Sequence, residues 1–192
     1  MKPKHLQGIG AAWLLFVPGA ALAHSGVHDG GLLSGLAHPF SGIDHLVAML
    51  LVGVWAAALN DGHKALLVPC AFVLCMTVAA ACGAAGLGVP WMEAGIAFSV
   101  LFLGLLLLGG LRLPMRIAAP LVGVLALFHG NAHGLEMPAS QATLYFGGFI
   151  TATVALHLMG MLLGRMLVRH AWALRGIGLA GGVIGTSLML GA

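Results

Sequence analysis

Six apolar runs dominate this chain, at residues 36–59, 65–86, 91–110, 115–133, 142–164 and 172–190. Each is close to the ~20 residues that carry an α-helix across a bilayer. Inside hydrocarbon the backbone must satisfy its own hydrogen bonds, and a helix does so within one segment. Charge is correspondingly scarce. Only 7% of the residues are charged, against about a quarter in a soluble domain. The sequence therefore predicts an all-α, polytopic membrane helical bundle rather than a soluble, fibrous or disordered chain. Turn signals separate the runs: Asn60-Asp61-Gly62, Gly86 to Pro90, Pro114, Pro138 and the segment Arg165 to Arg175. No Gly-rich phosphate loop occurs, which excludes a nucleotide-driven motor within the chain. No basic stripe with interleaved aromatics occurs either, so nucleic acid is not an expected partner.

Residues 1–23 read as a secretory signal peptide. Lys2 and Lys4 form a charged head, Gly8 to Val17 a short apolar core, and Ala21-Leu22-Ala23 a small-residue cleavage site. Residues 24–192 then form a single six-helix transmembrane domain whose N-terminus is delivered to the outside. The loops after spans one, three and five, with their helix ends, contain Lys64, Arg112, Arg116, Arg165, Arg169 and Arg175. These are all the basic residues after the leader, and the positive-inside rule places them in the cytoplasm. Both mature termini are expected in the periplasm of a bacterial inner membrane. The chain has 30 glycines, which in a bilayer allow close helix approach. Gly160-x-x-x-Gly164, Gly178-x-x-x-Gly182 and Gly181-x-x-x-Gly185 can serve packing within one bundle or between protomers of a homo-oligomer. Cys70, Cys75 and Cys82 fall inside one apolar run and read as small buried hydrophobes rather than disulfide partners.

Ionisable groups inside a span cost roughly 2.5–3.5 kcal/mol at its centre and default to function. They form two clusters. In the first, His38-Pro39-Phe40-Ser41-Gly42-Ile43-Asp44-His45, continuous α-helix would place His38 and His45 on one face, with Met49 a turn deeper and Asp44 turned aside, free to orient a histidine. In the second, Phe128 to Pro138, His129, His133 and Glu136 share a helical face, and Gly130 and Gly134 leave room beside them or loosen the helix. Span one enters from outside and span four leaves toward it, so the two clusters meet at one level. Imidazoles with a few carboxylates suit divalent Ni, Co, Zn or Cu, and suit Mg or Ca poorly. Other candidates are weaker. Glu93 opens span three, where an acid also favours a helix N-terminus. His157 lies alone in span five, as a core histidine or a relay. His24 and His28, beside Asp29, sit on an exported tail that could capture metal or simply tolerate histidine. His63 and His170 flank basic loops and should be solvated. Met159, Met161 and Met166 read as packing.

These motifs resemble a known family. His38-Pro39-x-x-Gly42-x-Asp44-His45, followed by Gly53, resembles the signature of the HupE/UreJ family of membrane metal permeases. Phe128-His129-Gly130-x-Ala132-His133-Gly134-x-Glu136 is similar to that family's second polar motif. The leader, length and six spans are similar too, so the resemblance covers nearly the whole chain. It implies uptake of nickel, in some members cobalt, for hydrogenase or urease maturation. The residue types alone leave cobalt, zinc and copper open. The expected function is a secondary, non-ATP transporter and not an enzyme. Ni2+ or Co2+ would be its cargo, and no prosthetic group is implied. The alternative is an intramembrane zinc hydrolase that uses the same residues around a fixed metal, with Asp44 or Glu136 as base.

Overall fold

The structure, a computed structural model, describes residues 31–137 and 140–191. The expected leader, His24 and His28 lie outside the described residues. Every regular element among those described is helical: α1 (Leu32–Ala37), α2 (Ile43–Ala58), α3 (Leu67–Ala84), α4 (Met92–Leu108), α5 (Met115–Glu136), α6 (Ala142–Leu167) and α7 (Ala171–Gly191), with short 3-10 turns at His38–Phe40 and Gly62–Leu66. Among the described residues, four helices are long and apolar enough to cross a membrane: Gly62–Ala84, Met115–Glu136, Ala142–Leu167 and Ala171–Gly191. A fifth crossing results if Leu32–Phe40 and Ile43–Ala58 are taken together. Met92–Leu108, the third expected span, is a shorter apolar helix of 17 residues.

The first expected span, 36–59, is not one straight helix. The chain bends by 82° between Leu32–Phe40 and Ile43–Ala58. Pro39 sits in the 3-10 turn, where its missing N–H is harmless. The His38 carbonyl closes that turn by accepting from the Ser41 N–H at 3.0 Å and the Ser41 hydroxyl at 2.6 Å. Gly42 then adopts an extended conformation, φ −114° and ψ 125°, and starts α2 afresh. The expectation of His38 and His45 on one continuous helical face is therefore corrected.

Other boundaries follow ordinary chemistry. At Gly86 (φ 81°) and Gly110 (φ 63°) the left-handed backbone lets the next N–H reach back: Leu87 donates to the Cys82 carbonyl at 3.0 Å and Leu111 to that of Leu106 at 2.9 Å. These ends stop α3 and α4 where the turn signals lie.

Glycines set the packing. A Cβ on Gly53 or Gly160 would collide with backbone of α6 or α2, one on Gly130 or Gly134 with the Met76 or Ala80 carbonyl of α3, and one on Gly178 or Gly185 with backbone of α4. Thus α2 lies on α6, α3 on α5 and α4 on α7 at near backbone contact. The three Gly-x-x-x-Gly motifs serve contacts within the bundle. Gly130 and Gly134 make room for α3, and α5 stays continuous past both, so the loosened-helix reading of that segment is corrected as well. The order of these contacts shows α2 parallel to α6, α3 parallel to α5, and α4 antiparallel to α7. Trp55, Phe72, Phe149, Met49 and Met76 fill the core between the pairs. Cys70 and Cys82 are exposed and Cys75 half-buried. Cys70 and Cys82 ride the outer face of α3, a correction to their expected burial, while Cys75 packs against Gly123 of α5.

Candidate metal site

The bend in the first span carries the site. By turning the 3-10 segment back over the start of α2, it brings His38 to the end of α5. His38 Nε2 and His133 Nδ1 lie 2.9 Å apart and share a hydrogen bond. The same His38 Nε2 lies 3.5 Å from Glu136 Oε2. One donor atom from each of His38, His133 and Glu136 falls within 4.8 Å of the others. With bonds of 2.0–2.1 Å to imidazole, two ligands at 90–110° around one ion stand about 3.0–3.4 Å apart. The His38–His133 and His38–Glu136 separations, 2.9 and 3.5 Å, already stand close to that spacing.

His45 and His129 extend the cluster inward. Ring centroids are 4.4 Å apart for His45 and His133, and 4.9 Å for His45 and His129. Each ring is held from behind. Asp44 Oδ1 accepts from the His45 backbone N–H at 2.7 Å and from His45 Nδ1–H at 2.8 Å. That bond leaves the lone pair on His45 Nε2, which has no other partner. Ser99 on α4 donates its hydroxyl proton to the Ile96 carbonyl at 2.7 Å, so its oxygen accepts from His129 Nε2–H at 2.7 Å. His129 then carries its lone pair on Nδ1, again unpartnered. His133 Nε2 is the third buried ring nitrogen without a partner here. Buried polar atoms are almost always paired, so three orphans on adjacent rings mark a place built to receive a ligand.

The side chains form a graded shaft. Glu136 and His38 are 57% and 25% exposed, and His45 13%. His133, His129 and His157 are 2%, 0% and 1% exposed. A polar mouth thus leads to a dry interior. The Phe149 ring packs 4.0 Å from His133, and Tyr145 and Phe149 flank His38 at 5.5 and 6.0 Å. At the bottom, Phe72 touches both His129 (5.6 Å) and His157 (4.9 Å), and neither nitrogen of His157 has a hydrogen-bond partner.

The structure thus gathers His38, Asp44, His45, His129, His133 and Glu136, the two sequence clusters, at one end of the bundle. Met49 is fully buried in the apolar core four residues beyond His45. Glu93 is exposed in the first turn of α4, outside the converging donors. His157 stands below the cluster, beyond Phe72. His63 and His170 are exposed, as expected.

Sequence reasoning passed over Ser99 and Asn131. A lone serine in an apolar run is signal enough to ask what it bonds. Asn131 accepts from the Val89 N–H at 2.7 Å and donates to the Leu87 carbonyl at 2.7 Å, tying the α3–α4 loop to the histidine helix.

Comparison with known proteins agrees with the motifs. The family model described as HupE / UreJ protein matches residues 12–188. Protein HupE of Rhizobium leguminosarum bv. viciae is 47% identical over 148 residues, which is 77% of this chain and 77% of that protein. No solved structure matches. On this match along nearly its whole length, the chain belongs to the HupE/UreJ family.

Proposed function

We propose that the protein is a secondary transporter that imports a divalent transition metal, nickel or cobalt, across a bacterial inner membrane to supply metalloenzyme maturation. The observation that carries this reading is the convergence of His38, His133 and Glu136 donors within 4.8 Å, backed by the unpartnered nitrogens of His45 and His129. In this reading the chain crosses the membrane six times after a cleaved leader, with α4 as a short crossing. The histidine end faces the periplasm, and the six basic residues face the cytoplasm. Both mature termini are then periplasmic, and the exported tail that carries His24 and His28 is on the same side of the membrane as Glu136.

The ion sheds water against Glu136 and His38, moves onto His133, His45 and His129, and passes inward by way of His157. Met49 and Glu93 have supporting roles at most, given their positions. Neutral imidazole ligands suit an ion of this class. An inside-negative potential drives entry, at roughly 2.3 kcal/mol per charge per 100 mV and about twice that for a divalent ion.

Metal accumulation in cells with and without His45→Ala and His133→Ala tests the reading, with Ni, Co, Zn and Cu measured together. Nickel or cobalt accumulation that depends on both histidines supports it. Equal accumulation in variants and wild type contradicts it. Metal that stays tightly bound through purification, together with hydrolytic turnover, would favour the intramembrane hydrolase instead.

A further inference from the structure

A cavity of about 250 Å³ opens at the end of the bundle opposite the histidines, where α2 and α4 end and α7 begins. Its wall is apolar, formed by Trp55, Ala58, Leu106, Leu107 and Leu174, and its rim holds Arg112 and Arg175. Trp55 contributes only its ring face, because its Nε1–H donates to the Leu111 carbonyl at 3.1 Å. Among the described residues, neither arginine has a carboxylate partner. The two ion pairs among the described residues, His38–Glu136 and His45–Asp44, are both at the far end. Ala171, the first residue of α7, also lines the cavity. The helix dipole places partial positive charge at this end, while the Ala173 and Leu174 N–H groups are themselves taken by the His170 carbonyl at 2.9 and 3.3 Å.

We propose that this cavity binds the phosphodiester headgroup of an anionic membrane phospholipid. Two guanidinium groups suit the phosphate oxygens, which they can grip with paired N–H donors. The apolar wall suits the glycerol and the first acyl carbons, which a soluble phosphate lacks. The position at a bundle end is where headgroups lie around a membrane-spanning chain, and basic pockets between helices are a known mode of lipid recognition. The site is independent of the histidine cluster and does not rest on the transport reading.

Dioctanoyl phosphatidylglycerol titrated into purified full-length protein in neutral detergent, followed by microscale thermophoresis, tests the assignment. Dioctanoyl phosphatidylcholine and inorganic phosphate are the comparison ligands. The expected result is saturable binding of the anionic lipid alone, weakened about thirtyfold in Arg112→Gln/Arg175→Gln. Arg116→Gln, on a helix that does not line the cavity, should bind as wild type. If the double variant does not fold, Arg175→Gln carries the test with about fivefold weakening. Equal lipid affinity in wild type and variants overturns the proposal. So does inorganic phosphate binding as tightly as the lipid through the same arginines, which would make the cavity a soluble-anion site.

Discussion

Asp44 and Ser99 never face the converging donors directly, yet they decide which nitrogen of His45 and of His129 is free. Carboxylate behind imidazole raises the basicity of the far nitrogen and holds the ring in place, and loss of such a partner typically costs 10–100-fold in metal affinity. Asp44→Asn keeps the shape and removes the charge. It should weaken Ni2+ binding in that range by isothermal titration calorimetry, with little change in thermal midpoint. Ser99→Ala removes the hydroxyl's bond to the Ile96 carbonyl and its interhelical bond with His129, and the interhelical bond alone should be worth about 1 kcal/mol of stability. The substitution also frees His129 to carry its proton on Nδ1, and the same calorimetry should show weaker binding. A ligating imidazole nitrogen must be deprotonated, so protons compete with the metal and binding weakens at low pH. Metal titrations at successively lower pH should show that decline.

The helices explain why the donors meet at all. Spacing alone suggested a single face for His38 and His45, yet an 82° bend separates them. The bend is what lets His38 reach across to His133. Pro39 and Gly42 contained the signal for a break. Periodicity could not show its direction, because that depends on α1 packing against α6, where Gly35 and Gly148 allow near backbone contact. Span order, by contrast, was enough to place His45 and His133 at the same level, because each crossing reverses the chain. The partner of each helix was not legible, since the glycines that choose it look alike in sequence. Packing supplies a sharp test. Gly130→Ala drives a Cβ into the Met76 carbonyl, and overpacking of this kind costs typically 1–3 kcal/mol. Gly147→Ala meets nothing within 4 Å. Thermal denaturation in detergent should show a lowered midpoint for the first and an unchanged or slightly raised one for the second.

At the scale of the molecule, polarity is divided between two ends. The first holds Glu136, Asp44 and the cluster of His38, His45, His129 and His133. The other holds Lys64, Arg112, Arg116, Arg165, Arg169 and Arg175, which follow from the directions of the helices. Between them lie an apolar core and the buried His157. Such a division suits a path for an ion that enters among carboxylate and imidazole donors and is drawn inward by potential. The decisive measurement is Ni2+ or Co2+ flux into proteoliposomes with metal outside and an inside-negative potential. Uptake above that of empty vesicles, abolished by His133→Ala and reduced when the potential is collapsed, is the predicted result. Flux no greater than in empty vesicles, from protein shown to be folded and inserted, would contradict the account.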